Sequence, residues 1–322
     1  MQYRRLGCSG LQLSALSYGA WINFGRSVGR GEARDLLALA WDHGVNFFDN
    51  AEGYANGEAE RIMGDALADL RLPRDGWCVS SKVFFGSAPQ PRPTQRGLSR
   101  KHVIEACHAA LKRLRVDHLD LYFCHRPDPD TPVEETVLAM DLLVRQGKVL
   151  YWGTSEWPAE LIRQAADFAR ANHLVGPSME QPQYNLFVRA RVEQEYAPLY
   201  RDYGLGTTTW SPLASGLLSG RYNRGGTSGR LGSPDFRWLD SHLEQETGRA
   251  RLARVEGFIE VARELDCTPA QLAIAWCLGN PDVSSVILGA SSTAQLRENL
   301  GALDVATRLD AAWRQRIAAL FA

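Results

Sequence analysis

The chain has 322 residues, a net charge of −1 and a hydrophobic share of 45%. This length suits one large α/β domain, and we expect a single domain over residues 1–322. The near-neutral charge argues against nucleic acid or an anionic membrane surface as the main partner. The start, MQYRRLG, lacks the apolar segment of a signal peptide, and no long apolar run follows. We therefore expect no membrane insertion and a cytoplasmic location.

Cysteine and histidine spacing gives no sign of a disulfide framework or a metal site. No C-x-x-C pair occurs, and we expect all the cysteines to be reduced core residues of predicted strands and helices. The histidines form no H-x-H or H-E-x-x-H pattern, so we expect no catalytic metal. The cysteines are Cys8, Cys78, Cys107, Cys124, Cys267 and Cys277.

Strand and helix patterns alternate through the first 125 residues. Glycine ends one predicted helix, and Ser99 is placed to cap another. The predicted elements are a β-hairpin over Tyr3–Leu16, a strand over Leu16–Ala20, a helix ending at Gly44, a strand ending at Asp49, a helix over Glu58–Leu70, a strand over Trp77–Lys82, a helix after Ser99 and a strand over Leu119–His125.

The alternation continues after residue 125, with one interruption. Ser211–Gly248 is rich in Gly, Ser and Arg, and this composition is typical of either a lid or a disordered insertion. Capping boxes are expected at Thr131, with proline at the first helical position, and at Thr268. The predicted elements are a helix from Thr131, a strand over Val149–Ser155, a helix from Pro158, a strand over Ser178–Gln181, a helix from Arg191, a strand over Gly206–Trp210, helices over Arg249–Leu265 and from Thr268, a strand over Val286–Gly289, a helix from Ser292 to Gly301, and a helix from Asp310.

Eight strands alternating with helices predict an α/β fold of the (β/α)8 TIM-barrel type, with an N-terminal β-hairpin and C-terminal helices. The predicted strands end near residues 21, 49, 82, 125, 155, 181, 210 and 289. No strand-to-helix junction carries the G-x-G-x-x-G motif, which argues against a Rossmann domain.

Four ionisable residues fall at or just after the ends of consecutive strands, where the active site of an α/β barrel lies. Asp49, Lys82 and His125 end the second, third and fourth predicted strands, and Tyr54 follows Asp49. Each has an ordinary alternative: a turn cap, a solvated charge or a packed ring. Together they are harder to explain that way, because a lysine ending a buried strand needs a counter-charge, which Asp49 can supply.

The combination suits proton donation to a carbonyl oxygen. A tyrosine pKa of about 10 is high for acid catalysis near neutrality. We expect the Lys82 ammonium to lower the pKa of Tyr54, and Asp49 to hold Lys82 charged and aimed. His125 would bind the substrate oxygen or relay the proton.

Longer motifs at ordered spacing carry a resemblance to a known family. Over nearly its whole length the chain resembles aldo-keto reductases, and specifically the branch that includes the voltage-gated potassium-channel β-subunits. The matching segments are FDNAEGY (residues 48–54), Ser81-Lys82, RGLSRKH (96–102), HRPD (125–128), Glu134-Glu135-Thr136, YWGTS (151–155), WSPL (210–213), QLAIAWCL (271–278) and Gly289-Ala290-Ser291.

The resemblance implies a barrel that binds NADPH in extended form at its mouth, with Tyr54 as general acid, Lys82 and Asp49 as its tuning pair, and His125 orienting the carbonyl. It places Ser155 and Gln181 at the nicotinamide carboxamide, Trp210 on the nicotinamide ring, and Arg230 near the adenosine 2′-phosphate. The full set of cofactor-binding residues expected is Trp21, Asp49, Ser155, Gln181, Trp210, Ser211, Leu213, Ser215, Gly216, Arg221, Arg230, Gly289, Ser291, Gln295, Glu298 and Asn299.

Two positions depart from the branch. Glu156 stands where many family members have Asn and the channel subunits have Arg, so the carboxamide end could be held differently. His125 stands where channel subunits have Asn, which favours an enzyme that reduces aldehydes, and some ketones, over an NADPH-binding regulatory or redox-sensing subunit with slow turnover. A barrel lyase or isomerase using Lys82 as a Schiff base is the weaker alternative.

The partner expected is a small-molecule carbonyl substrate, and the branch also includes homo-oligomers. Trp21, Phe85 and Trp157 are either walls of an aromatic pocket or ordinary core residues.

Overall fold

The computed structural model describes residues 1–223 and 246–322. The described residues fall into two compact units, and the single domain expected over residues 1–322 stays a prediction. The first unit comprises Met1–Gln183, Ala190–Trp210 and Asp282–Arg297, and the second comprises Tyr184–Arg189, Ser211–Pro281 and Glu298–Ala322.

The first unit contains a closed barrel of parallel strands, which confirms the predicted fold. Its strands follow in the order β10-β3-β4-β5-β6-β7-β8-β9, and β1 pairs antiparallel with β2 as the expected N-terminal hairpin. The strands are β1 Tyr3–Arg5, β2 Gln12–Ser14, β3 Leu16–Gly19, β4 Phe47–Asp49, β5 Cys78–Val83, β6 Leu119–Cys124, β7 Val149–Thr154, β8 Met179–Glu180, β9 Gly206–Thr209 and β10 Ser285–Leu288.

Helices connect these strands in the manner of βα units. Gly44 adopts a φ of +82° beyond the end of α1, and the Ser99 side chain caps α3 by accepting from the His102 N–H, both as expected. The helices are α1 Arg30–Asp42, α2 Glu58–Leu70, α3 Arg100–Leu114, α4 Val133–Arg145, α5 Ala159–Ala171 and α6 Ala197–Tyr203, with α6 preceded by a π-helical turn over Arg191–Glu195.

The capping box expected at Thr131 is wrong. The N-cap of α4 is Pro132, and no side chain caps this helix end. The Thr131 hydroxyl instead donates to Asp128 Oδ2 at 2.8 Å. The Thr131 hydroxyl is directed to the carboxylate of the preceding turn, and its oxygen does not accept from an N–H group at the helix start, which a local sequence pattern cannot foresee.

The barrel wall is apolar and continuous. All residues of β5 and β6 are buried, as expected of parallel strands covered on both faces. Phe47, Leu121, Phe123 and Met179 pack in one cluster with residues of the hairpin. Each such side chain contributes roughly 1.5–3 kcal/mol of apolar burial. The strand ends that carry the polar residues are therefore fixed to a rigid support.

The second unit is helical. The predicted capping box of α8 is confirmed: Gln271 N donates to Thr268 Oγ1 at 3.2 Å, and Gln271 Oε1 accepts from Thr268 N at 3.0 Å. The short helix over Ala302–Arg308 was not predicted. The helices outside the barrel are α7 Glu246–Glu264, α8 Pro269–Leu278, α10 Ala302–Arg308 and α11 Ala311–Leu320, and α9 Thr293–Leu300 begins in the first unit and ends in the second.

All six cysteines are free thiols, as expected, and four are buried. The expectation of a core position is wrong for Cys8, which is exposed, and for Cys267, which is half-buried. Cys8 lies in the loop of the N-terminal hairpin, where its N–H donates to Gly204 O at 2.9 Å. A separate finding is that the described helices include none with the length and apolar content needed to cross a membrane.

Candidate active site

Three adjacent barrel strands bring the four predicted catalytic residues together. β4 ends at Asp49, Lys82 lies one residue before the end of β5, and His125 directly follows β6. Tyr54 begins a 3-10 turn five residues after Asp49. These strands are neighbours in the barrel, so their carboxyl ends form one continuous stretch of its mouth.

The Lys82 ammonium is the centre of the cluster. Nζ donates to the two oxygens of Asp49 at 2.8 and 2.7 Å, to Asn50 O at 2.9 Å and to Tyr54 Oη at 3.1 Å. Because an ammonium has three N–H groups for these four acceptors, the longest contact, to Tyr54, is the one most easily exchanged. The side chain is fully buried, and this burial lowers the pKa of Lys82, although the negative charge of Asp49 acts to raise it.

The Asp49 carboxylate is held by donors from two further side chains. Ser80 Oγ donates to Oδ1 at 2.7 Å and Gln181 Nε2 donates to the same atom at 3.0 Å. Ser80 was missed from the sequence, although its spacing of two from Lys82 puts both on one face of β5. The carboxylate is thus fixed in place from β5 and from the end of β8.

Tyr54 keeps its proton. Burial of the hydroxyl raises its pKa well above the usual 10, the charge of Asp49 raises it further, and only Arg126 opposes. The lowering expected from Lys82 does not appear, because Asp49 neutralises that ammonium at contact distance. Within residues 1–223 and 246–322 no acceptor is found for the Tyr54 O–H, which leaves this proton free for an incoming ligand.

His125 is a neutral imidazole facing Tyr54. The two ring centroids lie 5.7 Å apart in an edge-to-face arrangement. Burial lowers the pKa of His125 well below its usual 6.5, and the charges of Lys82 and Arg126 lower it further. Its Nδ1 atom is buried with no hydrogen-bond partner among the described residues. A neutral ring retains one N–H that can donate to a substrate oxygen.

Ser155 and Gln181, expected at the nicotinamide, follow β7 and β8. Ser155 Oγ donates to Gln181 O at 2.9 Å, and Gln181 Nε2 lies 3.3 Å from Thr208 Oγ1 in addition to its bond with Asp49. Gln181 is 2% exposed, yet its Oε1 accepts no hydrogen bond within the part of the chain that the structure describes. An acceptor left open at a strand end suits an amide NH2 group.

Trp21 and Trp210 line the same side of the mouth as Tyr54. The Trp21 ring lies 6.4 Å from Tyr54 and packs edge-on against Trp210 at 5.5 Å. With 41% of its surface exposed, Trp21 offers a wide aromatic face to a ligand.

The other two aromatic residues predicted as either pocket wall or core differ in the structure. Phe85 packs edge-on against His125 at 5.0 Å and is 47% exposed, so it forms a wall beside the predicted catalytic residues. Trp157 is 2% exposed and belongs to the core. Sequence spacing alone could not separate these cases, because both rings follow strand ends.

Glu156 organises the loop after β7. Its Oε1 accepts from Trp210 Nε1 at 3.0 Å and from Gln183 N at 2.6 Å, and its Oε2 accepts from Arg191 Nη1 at 2.7 Å. Glu156 adopts a φ of +59°, in the left-handed region that residues other than glycine and asparagine rarely occupy. The acid at this position therefore anchors Trp210, a contact that the sequence did not predict.

Gly289, Ser291 and Gln295 lie at the end of β10 and the start of α9. Ser291 N and Oγ each lie 3.0 Å from Gln295 Oε1, and Gln295 N donates to Ser292 Oγ at 3.3 Å. A side chain at Gly289 would meet no atom within 4 Å among the described residues, so this backbone borders open space. A helix start next to open backbone can accommodate an anionic group.

In the second unit, the predicted phosphate-binding residues Ser211, Leu213, Ser215 and Gly216 share one tight loop. Ser215 N donates to Ser211 Oγ at 3.3 Å, and Gly216 N donates to Leu213 O at 2.9 Å. Ser211, Ser215 and Gly216 have φ values of +58°, +59° and +95°. Ala214, with a φ of +46°, directly precedes Ser215 and Gly216. A positive φ is uncommon for alanine and serine but not for glycine, and such a run of residues can shape a backbone concavity that binds anions.

Three of the remaining cofactor-binding predictions also lie in the second unit. Arg221 is exposed, Asn299 is buried, and Glu298 accepts at its backbone oxygen from Gln271 Nε2 at 2.9 Å. Arg230 lies outside the described residues, as does most of the predicted lid over Ser211–Gly248.

A closed barrel of parallel strands with a polar cluster at its carboxyl-terminal mouth is the architecture typical of α/β-barrel enzymes. The family model "Aldo/keto reductase family" matches residues 15–320. The chain is 50% identical over 309 residues to "Probable voltage-gated potassium channel subunit beta" of Arabidopsis thaliana, covering 95% of this chain and 92% of the relative. It is 51% identical over 308 residues to the protein of the same name from Oryza sativa subsp. japonica, with the same coverage. The chain belongs to the aldo/keto reductase family, whose members are typically NADP-dependent oxidoreductases.

Proposed function

We propose that this chain is an NADPH-dependent reductase of aldehydes, and of ketones that fit the same mouth, with Tyr54 as the general acid. The observation that carries the proposal is the state of the Tyr54 hydroxyl. It accepts a hydrogen bond from Lys82 while its own proton has no acceptor among the described residues. A phenol so arranged is prepared to donate to an oxygen arriving in the mouth.

The residues at the strand ends fit a nicotinamide cofactor. The open acceptor on Gln181 suits the carboxamide NH2, and the indole of Trp210, fixed by Glu156, provides a flat surface for a ring. The cofactor, when bound, would supply the hydride that reduces the carbonyl carbon. The chain's own part is to orient the carbonyl and to deliver the proton.

The proton follows a short route. The carbonyl oxygen, gaining negative charge as its carbon is reduced, takes the proton from Tyr54 Oη. His125 donates its one N–H to the same oxygen and holds it in place. The phenolate left on Tyr54 is stabilised by Lys82 Nζ, 3.1 Å away, because a hydrogen bond from an ammonium is stronger to a phenolate than to a neutral phenol. Asp49 keeps Lys82 aimed throughout.

This assignment predicts a flat pH dependence near neutrality. Because burial raises the pKa of Tyr54 and lowers that of His125, neither group changes its charge between about pH 7 and pH 9. We expect kcat/KM for reduction to stay constant over this range and to fall only at higher pH, where Tyr54 loses its proton. A titration of the rate in mid-range, with a midpoint near pH 7, would contradict the assignment.

The proposal is tested by measuring NADPH consumption with a panel of aldehydes. We expect many turnovers per active site with at least one of them, and tighter binding of NADPH than NADH. A cationic contact to the 2′-phosphate would be worth roughly 1.5–3 kcal/mol, or about tenfold or more in the dissociation constant. If no aldehyde of the panel led to NADPH consumption, the proposal would be overturned.

The names of the two plant relatives favour a second candidate, a subunit of a voltage-gated potassium channel. In that case the bound nucleotide would act as a signal rather than a reagent. The two candidates differ in turnover: a subunit of this kind would oxidise at most about one equivalent of NADPH and then stop.

A further inference from the structure

Arg126 is a cation at the mouth of the barrel that no carboxylate of the described residues neutralises. It directly follows His125, is half-buried, and forms no ion pair within residues 1–223 and 246–322. Its Nη1 donates to His125 O and lies 3.5 Å from Ser155 Oγ. A guanidinium has five N–H groups, so most of its donors are left for another acceptor.

Two acids at neighbouring strand ends are engaged by other groups. Asp49 pairs with Lys82, and the carboxylate of Asp128 accepts from Leu98 N at 2.7 Å and from Thr131.

Two other acids of this region are also held away from Arg126. Glu156 pairs with Arg191, and Glu52 accepts from Phe84 N and Gly86 N at 2.9 Å each. The predicted catalytic cluster contains one paired ammonium, a protonated phenol and a neutral imidazole. With Arg126 beside it, this part of the mouth has an uncompensated positive charge.

The position of the guanidinium is that of a group that contacts substrate. Its carbon Cζ lies 5.8 Å from the centroid of Phe85, and the Phe85 ring is 5.0 Å from the ring of His125. Its charge also influences the pKa of Tyr54, of Lys82 and of His125. Phe85 is therefore close to both the guanidinium and the His125 ring.

We propose that Arg126 selects aldehydes that carry a carboxylate, which its planar fork binds while the carbonyl lies against Tyr54 and His125. This inference rests on the proposed function, since it names the substrate class of the same site. The forked donor geometry fits a carboxylate better than a lysine would. Phe85 would pack against the carbon chain or ring between the two ends of the substrate.

A matched pair of substrates tests this inference: para-carboxybenzaldehyde, which is anionic, and para-carbamoylbenzaldehyde, which has the same shape and is neutral. We expect the parent protein to favour the anionic aldehyde by at least about tenfold in kcat/KM, mostly through KM, because a bond made equally in the ground and transition states lowers KM. Arg126→Gln should abolish this preference, and Arg126→Lys should retain part of it.

Arg92→Gln is the charge-matched control, because Arg92 is an exposed arginine of the loop after β5 that contacts none of the predicted catalytic residues. It should leave the preference unchanged. Equal use of the two aldehydes by the parent protein would overturn the inference, as would an equal loss of preference in Arg92→Gln. Equal losses of rate on both aldehydes in Arg126→Gln would also overturn it, since Arg126 would then support the site in general.

Failure of the proposed function gives a different result, in which neither aldehyde consumes NADPH. In that case the inference is tested separately from turnover, by measuring the binding of benzoate and of benzamide to the NADPH complex through tryptophan fluorescence. Tighter binding of benzoate that is lost in Arg126→Gln supports it, and equal binding of the two contradicts it.

Discussion

Two buried carboxylates of the same barrel, Asp49 at the end of β4 and Glu180 at the end of β8, are stabilised in opposite ways. Asp49 contacts an ammonium at 2.7 Å and accepts from two further side chains. Glu180 has no cationic partner among the described residues; its carboxyl accepts from Thr154 Oγ1 and lies 3.4 Å from Tyr196 Oη. Burial without a counter-charge raises the pKa of Glu180 to about 8.

The difference shows what the cation contributes. A buried acid satisfied by neutral donors holds a proton over most of the physiological range, and the fold tolerates it as a neutral hydrogen-bonding group. A buried acid beside an ammonium makes a fixed ion pair that can orient a third group. Only the second arrangement gives Tyr54 a positioned donor, and the barrel places it where the chemistry is proposed.

Breaking the ion pair should have the largest effect. Lys82→Met leaves the Asp49 carboxyl buried without its counter-charge, and removes the donor that would stabilise the Tyr54 phenolate. We expect carbonyl reduction to fall by at least about 10²-fold and the free energy of unfolding to fall by about 3–5 kcal/mol. Rates and chemical denaturation measure the two effects.

The double variant Asp49→Asn/Lys82→Met provides the control for this prediction. Because Asp49→Asn replaces the carboxylate that has lost its counter-charge, the double variant should recover most of the lost stability and none of the lost rate. If Lys82→Met alone were as stable as the parent protein, the ion pair would have no structural role and the comparison with Glu180 would fail.

Glu180 should give a smaller effect that depends on pH. Its pKa is about 8 in the folded protein against an ordinary 4.5, so between these values the folded state holds a proton that the unfolded state has lost. Stability of the parent protein should therefore decline as pH rises from about 5 to 8, by up to a few kcal/mol. Glu180→Gln removes this decline, and its melting temperature relative to the parent should rise with pH.

Glu160→Gln, which removes an exposed carboxylate of α5, is the matched control and should leave the pH dependence of the melting temperature as it is in the parent. A constant difference between Glu180→Gln and the parent at every pH would mean that Glu180 is charged in the folded state, despite its lack of a cation.

The smallest effect is expected at Glu156. Glu156→Ala leaves Trp210 Nε1 and Gln183 N without their acceptor and frees the Trp210 ring to reorient. We expect the NADPH dissociation constant to rise by less than about tenfold, and Glu156→Gln, which keeps an oxygen acceptor, to show less. Fluorescence titration provides the measurement; unchanged affinity in both variants would separate Glu156 from cofactor binding.

The sequence was sufficient to predict the barrel, because each strand is a buried apolar run that ends in a turn and the runs recur at the interval of a βα unit. The predicted catalytic residues were found for a related reason: they stand where these runs stop. Asp49, Lys82 and His125 needed no knowledge of side-chain orientation, since parallel strands bring their ends to one edge.

Other features depend on contacts between distant segments, and these contacts could not be predicted from local patterns. Glu156 and Trp210 are 54 positions apart, and their hydrogen bond exists only once β7 and β9 are placed in the barrel. The pKa of Tyr54 was predicted in the wrong direction, because a pattern shows that Lys82 is near but not that the phenol is buried. At Thr131 a local rule failed, since the Asp128 carboxylate takes the hydroxyl that would cap the helix.

Tyr54→Phe tests the central claim most directly, with single-turnover reduction of an aldehyde and the NADPH dissociation constant measured on the same preparation. The account predicts a loss of rate of at least about 10²-fold, with cofactor affinity and melting temperature close to those of the parent protein. Tyr203→Phe, which removes a phenol that donates to Asp167, should keep the parent rate. A Tyr54→Phe protein that still reduces aldehydes at nearly the parent rate would contradict the assignment of Tyr54 as the general acid.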